Sequence, residues 1–421
     1  MMKLLGIASA FFLLGLSAVI AVAGTNGTQL LGIGPVSRSM GGTGIAYPMD
    51  AISAVFGNPA AMCFGLYCPE SQVDFSVSLL SPDTKASVSG PGVGGTIRAE
   101  GDDNTFVVPA IGLSIPISKS MPLWRFGLSA YGVSGLGGDY RGTELDQPDF
   151  YGPGVPLVTG EYTNLQTTKF APAVAFQPSD CLSVGLAIHL DYESFDLRHG
   201  ASYDFGWGAQ AGVLYKPIDS VSLGLTYISP QKVEHENVAD LDTDGRLDDL
   251  EIESPQQVGF GAAYHLQRDM LVVEGDIRWL NWSDSKGYED IGFEDQWVFA
   301  LGLQYKPTAK LALRAGYNYG NSPVDDHHGF IGTGVSAIQG HPLPTYYLET
   351  FRTMGFATIL EQQLTFGIGY AFSPSITLNL GYEHSFENTV ESTGTDLTGQ
   401  PVTLKSEVSG NTFDLGLIFR F

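Results

Sequence analysis

From Ser71 to the C-terminus the chain repeats one unit, a segment of about ten residues with alternating apolar and small or polar side chains, then a connection. The clearest segments are VSLGLTY at Val221 to Tyr227, VFALGLQY at Val298 to Tyr305, LTFGIGY at Leu364 to Tyr370 and FDLGLIFRF at Phe413 to Phe421. A period of two sends neighbouring side chains to opposite faces of a strand, so each segment has one greasy face and one small or polar face. The pattern predicts fourteen strands, at 72–80, 105–117, 123–132, 167–177, 182–192, 203–215, 221–229, 254–264, 270–280, 295–305, 311–319, 361–372, 376–384 and 411–421.

The connections alternate in length. Short links such as QPSD, KPIDS and SPS follow the even strands, and long polar or Gly-rich ones follow the odd strands. An even count with both sheet ends on the short-link side describes an all-β fold, a 14-stranded antiparallel transmembrane β-barrel over residues 71–421 with long extracellular loops. A secreted β-sandwich also alternates, but it imposes no such asymmetry. Tyr215, Tyr227, Tyr264, Tyr305, Tyr370 and Phe372 recur where strands meet headgroups, and Phe421 closes the last strand.

Parity sorts the strands. With Trp124, Phe126 and Leu128 toward lipid, Arg125, Gly127 and Ser129 face the lumen, as do Lys169, His189, Glu274, Asp276, Arg278, Arg314, Asn318, Glu383, Asp414 and Arg420. A charge on the lipid face costs about 2–4 kcal/mol at the midplane, which forces this assignment. Most of these charges are expected to knit a hydrated lumen, with one or two of the basic residues free to fix an anionic head group.

Residues 1–23 carry one Lys, a continuous apolar run and Ala21-Val22-Ala23, the marks of a signal peptide. Cys63, Cys68 and Cys181 follow it, where disulfides form; Cys63 and Cys68 are close enough to pair, though spacing fixes no connectivity. A balance of 21 basic to 45 acidic residues makes nucleic acid a poor partner. Residues 24–70 lack alternation and are rich in Gly and small apolar residues, which suggests an N-terminal hatch, or plug, inside the barrel. Asp50 is placed to cap a short helix through Val55, and Asn58, before Pro59, to cap the next.

The stretch SRSMGGTGIAYPMDAISAVFGNPAAM, ahead of an even-stranded barrel ending in Phe421, resembles the FadL-type outer-membrane transporters of long-chain fatty acids and other hydrophobic compounds. The resemblance covers the whole mature chain, and its most specific marker is Asn58-Pro59-Ala60. It implies a passive monomeric channel in outer-membrane lipid and lipopolysaccharide, not an enzyme. Extracellular loops would capture a hydrophobic molecule, a fatty acid or hydrocarbon, and pass it to a pocket beside the hatch. Release would be sideways, where the third strand is kinked, with the Asn-Pro-Ala turn against that opening. The resemblance points to Leu30, Leu31 and Ile33 as pocket residues and to Gly132, Gly135, Gly137 and Gly138 as the kink; it transfers no basic residue, so the basic pocket candidates are Arg125, Lys169 and Arg314, which parity places in the lumen.

Asp240 to Glu251, DLDTDGRLDDLE, has the register of an EF-hand loop. Asp240, Asp242, Asp244, the Arg246 carbonyl, Asp248 and Glu251 would be the ligands of a Ca2+ ion, and Gly245 the turn. A chance match in an acidic outer loop is the competing reading. Two other functions compete with transport of apolar molecules: a general hydrophilic porin, and a barrel enzyme built on His189-Asp191 or Glu383-His384, which lack a nucleophile signature.

Overall fold

The computed structural model describes residues 25–63, 71–102, 105–118, 121–242, 244–266 and 270–421. Residues 1–23, expected to be a signal peptide, Cys68 and the Cys63 side chain lie outside the described residues. Fourteen antiparallel strands close into a barrel. They are β1 (Gln72–Gly90), β2 (Phe106–Ser118), β3 (Met121–Asp139), β4 (Tyr162–Ser179), β5 (Leu182–Asp196), β6 (Ser202–Ile218), β7 (Val221–Ile228), β8 (Gln257–Leu266), β9 (Leu271–Leu280), β10 (Gln296–Tyr305), β11 (Leu311–Gly320), β12 (Gln362–Ser373), β13 (Ile376–Thr395) and β14 (Pro401–Arg420). Closure runs from Arg420 opposite Gln72 to Thr403 opposite Ser89. Below it Ser71 and Phe421 exchange backbone hydrogen bonds of 3.0 and 3.2 Å, so the terminal aromatic residue ties the seam.

The strand number and the alternation of link lengths are as expected, but several strands are longer. β1 reaches Gly90, β3 Asp139 and β13 Thr395, while β4 starts at Tyr162 and β14 at Pro401. Above the lipid both faces of a strand meet water or loops, so the greasy-to-polar alternation that marks the spanning part ceases to be required. Two further hairpins stand at the long-loop end, Gln231–Ala239 with Asp248–Ser254 and Val335–Ile338 with His341–Pro344.

Burial follows parity. On β5, Leu186, Ile188 and Leu190 are exposed while Ala187, His189 and Asp191 are buried. Trp207 on β6 is 75 % exposed, the value of a side chain whose environment is lipid.

Residues 25–62, buried throughout except for the half-buried Phe56, lie inside this cylinder, in contact with the inner faces of strands all around it. Helix α1 (Gly34–Arg38) leans on β14, where a Cβ at Gly416 would lie 2.6 Å from Pro35. Met40 and Gly41 press on Gly316 of β11, Ile45 on Gly224 of β7, and Ile52 on Gly112 of β2. The small residues of the inner faces thus make room for a second layer of chain. Helix α2 (Ala51–Gly57) is capped by Asp50, whose carboxylate accepts the Ser53 N–H at 2.7 Å. A 3-10 turn over Pro59–Cys63 follows, with the Ala60 N–H on Asn58 Oδ1 at 3.1 Å.

Wall carboxylates hold this segment by its main chain. Glu274 accepts the Ala46 and Tyr47 N–H groups at 2.7 and 2.8 Å, and Asp276 those of Gly44 and Ile45 at 2.9 and 3.2 Å. Arg38 reaches Glu383 at 2.6 Å and Asp414 at 3.2 Å, all three buried.

Candidate functional site

β2 and β3 pair from Ser118 opposite Met121 up to Ala110 opposite Tyr131, and there the ladder stops. Beyond it, β2 back to its first residue, Phe106, is paired only with β1, and β3 continues to Asp139 paired with β4. The residues at the break explain it. Pro109 has no N–H for a ladder, and prolines in sheets are confined to edges, strand starts and bulges. On β3 the register against β4 slips by one residue between Gly132 and Ser134, a β-bulge that bends the strand. Gly132 is required here by close approach, since a Cβ would lie 2.7 Å from Val108 Cγ1.

The freed edge of β3 is met from inside. The N-terminal strand Gln29–Leu30 pairs with it at Gln29 opposite Ser134. Behind the break lies an apolar cluster of Leu30, Ile33, Ile52, Val55, Met62, Leu80, Phe106 and Tyr131, with Phe56 and Val108 at its margin. Phe56 meets Tyr131, the last paired residue, edge to face at 5.6 Å. A wall whose ladder is interrupted, with a greasy patch behind it, offers an apolar molecule a path that needs no hydrated lumen.

Toward the long-loop end, a second apolar cluster contains Phe195, Trp282, Tyr288, Phe293 and Phe356, with Tyr288 and Trp282 in contact at 4.8 Å. Burial pushes the Tyr288 phenol up, so it stays neutral; its oxygen lies 3.4 Å from Thr28 Oγ1 in the N-terminal segment. The N-terminal strands therefore lie between the outer aromatic cluster and the interrupted ladder.

The anticipated site residues distribute as follows. Leu30 and Ile33 belong to the inner cluster, whereas Leu31 lies outside it, against Gly42, with its carbonyl accepting from Arg278 at 2.9 Å. Arg125 donates to Ser114 Oγ at 3.1 Å and Arg314 to Gln304 and Asn379 at 2.9 and 3.0 Å. Lys169 is level with Tyr131 on the neighbouring strand and is engaged with Asp191 and Gln231. The three cations stand on β3, β4 and β11 and do not converge. Of the kink glycines, Gly132 borders the bulge, while Gly135, Gly137 and Gly138 pair regularly with Gln166, Asn164 and Thr163.

Asn58 donates to the Ile45 carbonyl at 2.9 Å and to Val213 of β6 at 3.1 Å; Pro59 and Ala60 rest on Gly185 of β5. The motif therefore braces the segment against β5 and β6, two and three strands along the wall from β3; within the turn it is Met62 that touches β3, at Gly127.

In the acidic loop, ligand atoms of Asp240, Asp242 and Asp244 lie within 4.8 Å of one another, and so do those of Asp242, Asp248 and His341. The loop's N–H groups fold onto the same carboxylates, Gly245 on Asp240 at 3.0 Å and Arg246 on Asp244 at 2.8 Å. Glu251 stands apart in the hairpin, bound to Lys232 at 3.0 Å. Residues that local pattern did not reveal are Glu193, His235 and Tyr288; the Glu193–His235 and Tyr288–Thr28 contacts form only when long connections fold over the barrel, and only the even spacing of Asp191 and Glu193 on β5 marked the wall side.

The sequence profile of the outer membrane protein transport proteins (OMPP1/FadL/TodX) matches residues 16–204 and 196–331. Outer membrane protein P1 of Haemophilus influenzae is 25% identical over 204 residues, 46% of this chain, and the match spans 40% of that relative's length. Among solved structures, the Pseudomonas putida toluene transporter TodX has a TM-score of 0.64 at 19% identity, covering 93% of this chain and 99% of that one. A FadL homologue of Pseudomonas aeruginosa gives 0.66 at 16%, with the same coverage, and the monoaromatic hydrocarbon channel CymD gives 0.55 at 17%, covering 93% and 98%. At these identities the likeness to solved structures is one of fold.

Proposed function

Since the chain belongs to the OMPP1/FadL/TodX family of outer membrane transport proteins, which are channels and not enzymes, we propose that it carries hydrophobic molecules passively through the outer membrane and releases them sideways into the bilayer. The observation that carries this reading is the ladder that ends at Ala110 and Tyr131 beside an apolar cluster, with the N-terminal strand seated on the freed edge. The outer aromatic cluster captures the molecule, the segment of residues 25–63 acts as a hatch that denies the lumen to water-borne solutes, and the break is the exit. Neighbours named for toluene and monoaromatic hydrocarbons favour small aromatic cargo, and the dispersed, paired lumenal cations speak against a dedicated carboxylate clamp.

The test is uptake of radiolabelled toluene and oleate by cells with and without the gene. Faster toluene uptake with the gene is expected, and equal rates for both compounds would refute the reading. A general porin predicts instead that deleting the hatch leaves conductance and apolar uptake unchanged. In the same reading calcium orders the acidic outer loop through Asp240, Asp242 and Asp244, whose oxygens lie close together, while Glu251 is paired with Lys232.

A further inference from the structure

The two hairpins at the long-loop end meet at a point that transport leaves unused. The tip of the second, where Ile338 pairs with His341, turns through Gln339 and Gly340, whose φ values of 49° and 91° are those of a tight hairpin turn. The turn sets two side chains down on the first hairpin. Gln339 accepts the Glu251 N–H at 2.9 Å and donates to the Glu251 carbonyl at 2.7 Å, and His341 Nδ1 stands 3.0 Å from Asp248 Oδ1. Asp242 completes the group: ligand atoms of Asp242, Asp248 and His341 lie within 4.8 Å of one another, and all three residues are half-buried. We propose that these three side chains bind a divalent first-row transition ion of the zinc class, which staples the two hairpins together.

The donor set selects the ion. Calcium takes six to eight oxygens, and an imidazole nitrogen is foreign to it. Zinc is held by nitrogen and carboxylate oxygen at about 2.0–2.2 Å, often by three side chains with a fourth position open. Two such ligands at a tetrahedral angle stand about 3.4 Å apart, and the His341–Asp248 pair is already at 3.0 Å. A carboxylate only accepts, so Nδ1 carries a proton in this contact whatever the charge of the ring. The ion takes that proton's place, and the proton passes to Nε2 or, from a charged ring, to water. Both carboxylates are held ready by main-chain donors: Asp248 Oδ2 accepts the Leu241 N–H at 2.9 Å, and Asp242 Oδ1 the Asp244 N–H at 3.1 Å.

The surroundings call for a cation. Asp240 and Asp244 stand beside Asp242, and among the described residues the one cationic side chain in ion-pair contact with any of these aspartates is His341. Asp240 Oδ1 is buried and has no hydrogen bond among the described residues. The site shares Asp242 with the calcium reading of the loop but differs in chemistry, because its nitrogen comes from the other hairpin. Its place gives it a consequence. Leu250 and Ile252 of the first hairpin and Ile338 and Leu343 of the second belong to the outer aromatic cluster, so the ion fixes the roof of that cluster.

The experiment is calorimetric titration of the untagged full-length protein in detergent, stripped of metal with EDTA, using zinc chloride and, separately, calcium chloride. One zinc ion per chain is expected, with His341→Ala weakening zinc at least about tenfold and leaving the calcium isotherm unchanged. Zinc bound as tightly by His341→Ala as by the wild type would overturn the proposal and assign the ion to the carboxylates alone; no zinc binding by the wild type would overturn it as well. Should His341→Ala lose the heat-modifiable barrel, X-ray absorption of the zinc-loaded wild type decides: scattering from a coordinated imidazole is expected, and its absence refutes the site. The channel reading is independent of all these outcomes, since it stands or falls with uptake.

Discussion

Sewing the interrupted ladder shut tests the exit directly. A Cβ built at Gly132 lies 3.9 Å from Val108 Cβ, within the span of about 3.5–4.5 Å that disulfides use. The double variant Val108→Cys, Gly132→Cys, in a Cys181→Ser background that removes the exposed free thiol, should therefore oxidise without backbone movement. The bond closes a loop of about 25 residues, which chain entropy values at about 3.5 kcal/mol of added stability. Oxidation should thus raise, not lower, the temperature of heat modification, so that lost transport cannot be put down to a damaged barrel. Toluene uptake should fall to the level of cells lacking the gene when the bond is formed and recover when dithiothreitol reduces it. Uptake by the oxidised protein at the reduced rate would refute lateral release at this break and leave only a route through the lumen.

Asn58→Ala with Pro59→Ala removes two donated hydrogen bonds, one of them to Val213 of the wall, and one accepted from Ala60, and should slow uptake while leaving a heat-modifiable barrel; unchanged uptake would dismiss the motif as structural. Arg38→Met strands Glu383 and Asp414 as buried unpaired carboxylates and should destabilise the folded protein by about 3–5 kcal/mol, read as a lower midpoint of heat modification. Calcium titration should show a heat of binding in the wild type and none in Asp242→Ala; equal isotherms would remove the loop site.

The barrel was legible because lipid on one side and chain on the other impose a period of two over each spanning segment, as Leu186 to Asp191 illustrate. The same logic placed Arg125, Lys169 and Arg314 inside but was silent on their partners, because Ser114, Gln231, Gln304 and Asn379 lie on other strands and no local pattern encodes the pairing. The kink was found only to the nearest few glycines. Gly132 matters because of Val108 across the sheet, and Pro109, the other half of the break, sits in a segment whose alternation reads as an ordinary strand. The hairpin carrying His235 was hidden by its charge: E-H-E-N beside an aspartate run reads as a solvated loop until Phe195 and Glu193 beneath it are known.

The grip of the wall on the N-terminal segment sets an order of assembly. Arg38 is held by Glu383 and Asp414, on the last two strands to be synthesised, and the backbone from Gly44 to Tyr47 is held by Asp276 and Glu274 from the middle of the chain. Contacts so distant in sequence form late, after the loops they close have been paid for in entropy. A segment made early in synthesis consequently takes its shape late, and it does so inside a cylinder that has to close around it.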